Sequence, residues 1–166
     1  MRKAIYFLLF LFSCNLMADD IAGFWETIDK ETKKPSSIIA IYFYQGKYYG
    51  RIIGTYNDQG VLNNTIYHPI SRAPGIKGNP YYCGLDIVWA AQLEDDGAYR
   101  GHVIDPKEGK VYKAELWRQG QNLILRGEVF IFGRNVLWPP FPEQKFNSDF
   151  KEPDVTTFVP KYPQVK

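Results

Sequence analysis

The stretch that decides the fold is Tyr99–Phe130, YRGHVIDPKEGKVYKAELWRQGQNLILRGEVF. It holds three runs rich in β-branched, aromatic and aliphatic residues, separated by short turns at Asp105–Gly109 and Gln119–Gln121. In the middle run, Val111–Arg118, apolar or small side chains at even positions alternate with Lys113 and Glu115 on the other face. A period of two predicts β-strands with one buried face. Short turns that contain glycine predict that these strands pair in antiparallel order.

The same pattern extends over most of the chain. Several runs are apolar on both faces, as strands of a filled or ligand-lined barrel are. The composition of residues 57–84, which are rich in Gly, Pro and Asn, predicts a long irregular connection. The sequence shows no pattern typical of an amphipathic helix. We therefore predict an all-β fold, a single antiparallel eight-stranded barrel, because closure removes exposed sheet edges. The eight predicted strands are Phe24–Asp29, Ser37–Tyr44, Tyr48–Tyr56, Leu85–Leu93, Tyr99–Ile104, Val111–Arg118, Leu123–Phe130 and Arg134–Trp138.

Both ends of the chain differ from the predicted barrel domain, 19–138. Residues 1–18 have the pattern of a signal peptide: basic Arg2 and Lys3, a nine-residue apolar run, and Ala18 at the cleavage site. That run is too short for a membrane span of about 20 residues. An alternative interpretation is a lipoprotein that is acylated at Cys14. Both interpretations predict that the protein is exported, to the periplasm or beyond, and that the mature chain has no transmembrane segment. Residues 139–166 contain six prolines and predict an extended tail.

Composition narrows the classes of function. The 166 residues are 45% hydrophobic and 23% charged, which is typical of a globular protein. Without Arg2 and Lys3 the 20 basic residues become 18, against 18 acidic ones, so no basic footprint for nucleic acid remains. After cleavage only Cys83 and two histidines are left, too few for a Cys/His zinc site. No phosphate-binding loop, nucleophile elbow or zinc-protease motif occurs, which counts against the common enzyme classes but not against all enzymes. We therefore predict a protein that is not an enzyme and has no cofactor and no metal, with an enzyme of an unrecognised class as the open alternative.

Aromatic side chains are the candidate ligand-binding residues. Flat, amphipathic rings suit an apolar ligand that has one polar group. The sequence leaves open whether these rings line a cavity, fill the core or lie on the outer face. The candidates, all in predicted strands, are Tyr42, Tyr44, Tyr49, Trp89, Tyr99, Tyr112 and Trp117.

A series of motifs carries a family resemblance. Gly23-Phe24-Trp25 resembles the G-x-W signature of lipocalins and other calycins. It is followed in order by Asp105-Pro106-x-x-Gly109-Lys110-x-Tyr112, Arg126-Gly127 and Gly133-Arg134-x-x-x-Trp138, and the whole series resembles the bacterial exported family of domain of unknown function 2147. This resemblance implies a lipocalin-like barrel with Trp25 as a structural plug and a late arginine, Arg126 or Arg134, over its ring.

Two functions of different classes follow. The first is an exported binding protein that holds a small apolar or amphipathic molecule in the barrel, by analogy with lipocalins. The second is a cell-envelope interaction module with a closed core, in which the tail or the connection 57–84 contacts a protein partner.

Overall fold

The computed structural model describes residues 20–29, 31–128 and 134–166, apart from the side chain of Arg134. The predicted signal peptide 1–18 and the alternative acylation site Cys14 lie outside the described residues. The described part is all-β, with no α-helix. Its strands are β1 (Gly23–Ile28), β2 (Pro35–Tyr44), β3 (Lys47–Tyr56), β4 (Leu62–Thr65), β5 (Asp86–Leu93), β6 (Tyr99–Asp105), β7 (Lys110–Gln119), β8 (Asn122–Gly127) and β9 (Arg134–Trp138); two 3-10 helices, Glu143–Lys145 and Val155–Thr157, follow.

Eight of the strands form an antiparallel barrel in the order β1-β2-β3-β5-β6-β7-β8-β9, with β4 added to β3. The chain beyond β9 closes it by pairing with β1. The Glu26 amide donates to the Pro139 carbonyl at 2.9 Å, and the Phe141 amide donates to the Phe24 carbonyl at 2.8 Å. The predicted barrel is therefore confirmed, and its closure uses the first residues of the proline-rich segment.

Side chains alternate between the inside and the outside of this barrel. Inward-facing residues form one large apolar cluster, to which Trp25, Ile39 and Leu116 belong with exposures of 2%, 0% and 0%. Strand pairing places Trp25 opposite Ile39 and Leu116 opposite Leu125 on the inner face. Removal of these side chains from water is the main force that holds the strands together.

The outer face of β2 and β3 is also apolar, and the residues that follow β9 cover it. Ile38, Ala40 and Ile53 on the strands pack with Phe141 and Phe150 in a second buried cluster. This arrangement explains why Ile38–Tyr44 is apolar on both faces. One set of side chains fills the barrel, and the other binds the chain's own C-terminal segment.

Strand β4 was not predicted. Leu62–Thr65 reads Leu-Asn-Asn-Thr and shows no apolar alternation, and it lies within the expected irregular connection. Asn64 holds it in place: this residue is 1% exposed, its Nδ2 donates to Thr55 Oγ1 at 2.7 Å, and its Oδ1 accepts from the Ile70 amide at 2.7 Å. A buried amide with satisfied hydrogen bonds replaces the hydrophobic signal that a sequence pattern can detect.

Two glycines on the inner face give a test of how tightly the wall is packed. A Cβ at Gly101 would overlap the Trp89 carbonyl oxygen, whereas the atom of the described residues that a Cβ at Gly127 would meet is Val103 Cγ1, at 3.9 Å. Gly101→Ala should therefore lower the free energy of unfolding by about 1–3 kcal/mol. Gly127→Ala should change it by less than about 0.5 kcal/mol. Urea unfolding of both variants measures the difference, and equal effects would contradict this account of the wall.

Candidate ligand site in the barrel

One end of the barrel is sealed. We call it the tryptophan end; it carries Trp25 and the β2–β3, β5–β6 and β7–β8 turns. Ile21 has no exposed surface, and its carbonyl accepts a hydrogen bond from Trp25 Nε1 at 3.1 Å. Next to them, Tyr48 and Tyr99 pack edge to face with ring centroids 5.1 Å apart. These side chains fill the interior at this end, and a surface depression lined by Asp96, Gly97, Ala98, Trp117 and Arg118 lies beside them.

The arginine over the Trp25 ring is Arg118, with its guanidinium carbon 4.7 Å from the ring centroid. We expected Arg126 or Arg134 there. Arg126 is exposed, and it lies opposite Glu115 on the outer side of the β7–β8 pair, so it cannot reach an inward-facing ring. The side chain of Arg134 lies outside the described residues. Arg118 follows Ala114 and Leu116 at a spacing of two, and residues with this spacing share one face of a strand. The sequence pattern therefore already indicated that Arg118 faces inward, whereas the family resemblance pointed to a different arginine.

The opposite end, which we call the far end, has half-buried side chains on its inner face. It lies beside the β1–β2, β3–β5 and β6–β7 connections. Pairing places Thr27 opposite Ser37, Val103 opposite Tyr112, and Gly127 opposite Ala114. The β3–β5 connection covers part of this end: the Gly75 amide donates to the Pro106 carbonyl at 3.1 Å, and Ala73 and Ile76 are buried in the core cluster. Six residues of the inner face have intermediate exposure, in contrast to the fully buried interior next to Trp25. They are Thr27, Ser37, Val103, Tyr112, Gly127 and Val136.

This inner face combines apolar surface with a few polar groups. The hydroxyl oxygens of Thr27 and Ser37 lie 2.6 Å apart, and Thr27 Oγ1 also accepts from the Ser37 amide at 3.0 Å. Tyr112 adds a phenol on the same face. Among the described residues, a Cβ added at Gly127 would meet Val103 Cγ1 at 3.9 Å, an ordinary van der Waals distance. Apolar walls with a small number of hydrogen-bonding groups are typical of small-molecule sites.

The structure separates the seven predicted aromatic candidates into two groups. Tyr99 and Tyr112 lie on the inner face, Tyr99 buried in the sealed half and Tyr112 half-buried in the far half. The other five lie on the outer face, because their positions alternate with inward-facing neighbours. Whether any of the seven binds a ligand stays a prediction. The outer group comprises Tyr42, Tyr44, Tyr49, Trp89 and Trp117.

Cys83 is a buried residue and not a reactive thiol. It is 7% exposed, and its Sγ donates to the Asn64 carbonyl at 3.3 Å. Burial raises the pKa of this thiol to about 12, so the thiolate is scarce near neutral pH. Among the described residues, no group of three His, Cys, Asp or Glu side chains is placed to hold a metal ion. Within the same residues, no helix has the length and apolar character needed to cross a membrane.

Comparison with known proteins gives a family and a fold. The family described as an uncharacterised protein conserved in bacteria, domain of unknown function 2147, matches residues 23–139. A solved structure of a Helicobacter pylori protein, described as belonging to the lipocalin family, superimposes with a TM-score of 0.60. The two chains are 15% identical over 78% of this chain and 94% of the other, so this likeness shows the fold alone. No curated protein matches the chain.

Substitution of the two arginines tests which one covers the plug. Arg118→Ala uncovers the Trp25 ring and removes the cation–π contact, so it should lower the free energy of unfolding by about 1–2 kcal/mol. Arg126→Ala, the matched control on the outer face of the adjacent strand, should change it by less than about 0.5 kcal/mol. Urea unfolding measures both values, and a larger effect at Arg126 would refute the assignment.

Alkylation tests the environment of Cys83. Because the attacking species is the thiolate, a pKa of about 12 in place of the usual ~8.5 should slow iodoacetamide labelling at pH 8 by on the order of 100-fold or more. Mass spectrometry of the peptide that contains Cys83, from native and guanidinium-unfolded protein, gives the two rates. Equal rates would show that the thiol is accessible in the folded chain.

Proposed function

We propose that this chain, which belongs to the bacterial family of domain of unknown function 2147 and has a lipocalin-like barrel, is an exported protein that binds a small apolar or amphipathic molecule at the far end. The observation that carries the proposal is the contrast between the two ends. At one end Trp25 is buried beneath Arg118, whereas the other end presents a half-buried inner face. A binding role accords with the absence of recognised catalytic motifs in the sequence.

Burial of apolar surface supplies most of the binding energy in this proposal. Each 100 Å² of apolar ligand surface that leaves water contributes about 2.5 kcal/mol. Val103 and Val136 provide apolar contact, and the hydroxyls of Thr27, Ser37 and Tyr112 can orient one polar group of the ligand. No charged side chain is required, so the proposed ligand is neutral or carries its charge at the mouth of the barrel.

Gly127 on the inner face gives the sharpest test of this site. Gly127→Leu places a larger side chain on that face and should weaken binding of cis-parinaric acid, a fluorescent fatty acid, by at least about tenfold. Arg126→Leu adds the same side chain to the outer face of the same strand and should leave the affinity unchanged. Fluorescence titration gives both dissociation constants, and circular dichroism shows whether each variant is folded. A folded Gly127→Leu chain that binds as tightly as the wild type would refute the site.

The natural ligand and the export can be examined in one experiment. The protein is recovered from the exported fraction of its own cells, weighed by native mass spectrometry and then extracted under denaturing conditions. A stoichiometric small apolar molecule and a chain shortened at its N-terminus are expected. Protein that is confined to the cytoplasm would refute export. Empty exported protein that also fails to bind fatty acids and aromatic amphiphiles would refute the binding function.

A protein partner on the connection 57–84 is a second candidate function. On this connection Ile70 is 62% exposed and Tyr67 is 44% exposed, as apolar side chains at a contact surface would be. In the tail, Phe141 and Phe150 are buried against the barrel, whereas Val159 and Tyr162 are 56% and 57% exposed. Substitution of Tyr67 and Ile70 by serine should abolish recovery of an envelope partner by cross-linking if this candidate is correct, and unchanged recovery would eliminate it.

A further inference from the structure

The C-terminal residues 158–166, which we call the terminal segment, lie outside the region that the family matches, and they occupy a groove on the outer face of β2, β3 and β5. The Tyr42 and Phe158 rings meet edge to face at 5.2 Å. Tyr162 packs edge to face against Trp89 at 5.5 Å, and its hydroxyl is 3.1 Å from that of Tyr49. Three of the outward-facing predicted aromatic residues therefore form the walls of this groove.

An ion pair lies at the bottom of the groove. Arg51 and Asp86 have side chains that are 10% and 1% exposed, with Arg51 Nη2 2.8 Å from Asp86 Oδ2. Asp86 Oδ1 accepts from Arg51 Nε and from the Tyr42 hydroxyl, both at 2.9 Å. Burial, together with the adjacent carboxylate, raises the pKa of the Tyr42 phenol, so this hydroxyl remains a donor. Burial of two charges is costly unless their remaining hydrogen-bonding positions are filled.

The terminal segment fills those positions with its backbone. Arg51 Nη2 donates to the Val159 carbonyl at 2.7 Å, and the Lys161 amide donates to Asp86 Oδ2 at 2.7 Å. The side chains of Val159 and Lys161 are exposed. The ion pair thus binds a carbonyl and an amide two residues apart in an extended chain, and both bonds are to the backbone.

The segment has the features of a polyproline II peptide. Phe158 has φ −75° and ψ 126°, close to that conformation. Pro160 is half-buried and Pro163 is buried, a spacing of three that fits its three residues per turn. Phe158 lies over the Arg51 guanidinium at 4.4 Å and adds a cation–π contact. Aromatic-lined grooves bind proline-rich peptides in the same general manner, since such peptides lose little conformational entropy.

We propose that this groove is a peptide-binding site for an extended segment with the pattern Phe-x-Pro-x-Tyr, and that the chain's own residues 158–162 occupy it as an intramolecular ligand. Arg51 and Asp86 bind the backbone on either side of the proline, Tyr42 contacts the Phe158 ring, and Tyr49 and Trp89 contact one side of the Tyr162 ring, which is 57% exposed. The partner is an extended, proline-containing segment of another protein, which binds when the terminal segment leaves. This inference concerns the outer face and does not depend on a ligand inside the barrel.

Because the terminal segment occupies the groove, it should compete with any free peptide that binds there. A tethered segment has an effective concentration of the order of millimolar, so a free peptide of equal affinity binds the wild-type chain weakly. A change that loosens the tethered segment but leaves the groove intact should reveal the site. Phe158→Ala with Tyr162→Ala in the full chain removes both rings of the segment and leaves the groove residues unchanged. The backbone bonds that tie the end of the segment to the β3–β5 connection remain, from the Lys77 amide to the Gln164 carbonyl at 2.7 Å and from the Lys166 amide to the Gly75 carbonyl at 3.2 Å.

The test uses a labelled synthetic peptide with the sequence of residues 158–166 and measures fluorescence anisotropy. The doubly substituted full chain should bind it saturably and at least tenfold more tightly than the wild-type chain. A peptide methylated on the Lys161 amide nitrogen should bind at least tenfold more weakly, since it cannot donate to Asp86. Adding Asp86→Asn to the doubly substituted chain should have the same effect, and Asp96→Asn, at an exposed aspartate, should not.

Two results would overturn the proposal. One is a doubly substituted chain that keeps its β circular dichroism spectrum and shows no saturable binding. The other is equal affinity for the methylated and unmethylated peptides, which would mean that the ion pair does not recognise the backbone. The comparison of the two peptides does not require the Asp86→Asn variant, so it tests backbone recognition even if that variant fails to fold.

Discussion

Closure of the hydrogen-bonded ladder between β1 and residues 139–141 is the constraint on which the rest of this structure depends. The two bonds, from the Glu26 amide to the Pro139 carbonyl and from the Phe141 amide to the Phe24 carbonyl, join the first strand to the chain that follows the last strand and nearly close the barrel. A closed barrel gives each strand residue a definite side, inward or outward. Trp25 and Arg118 can seal one end only because closure brings β1 next to the last strands.

Closure also explains the double role of the residues after Trp138. Pro139 and Phe141 complete the wall, and the chain then turns onto the outer face of β2 and β3, where Phe150 is 3% exposed. Further along, the terminal segment satisfies the buried Arg51–Asp86 pair. The tail is therefore an integral part of the fold. The barrel offers two different surfaces for recognition, a half-buried inner face at the far end and a groove for an extended chain outside.

Sequence patterns predicted the architecture well, because strand periodicity and turn composition are local properties. Within the described residues the eight barrel strands occur close to their expected positions, and the family match covers the same region. The last two residues of the predicted strand Leu123–Phe130 lie outside the described residues. Patterns were less informative where position depends on a long-range contact. Strand β4 is held by Asn64, whose hydrogen bonds leave no hydrophobic signal in the sequence. The plug arginine was assigned by resemblance to Arg126 or Arg134, although the alternation of β7 already placed Arg118 with Leu116.

Composition and periodicity by themselves determined the all-β class, the antiparallel neighbours and the balance of charge, and the motifs determined the likeness to domain of unknown function 2147. Tertiary structure alone decided which aromatic rings face inward, since Ile38–Tyr44 is apolar at nearly every position and has no polar side to reveal its orientation. The same holds for Arg51 and Asp86, which are 35 residues apart and become a pair only when β3 and β5 align. A local sequence pattern is enough to specify a strand. Which residue lies opposite it on the neighbouring strand, and which segment covers it, depend on contacts that form only in the folded barrel.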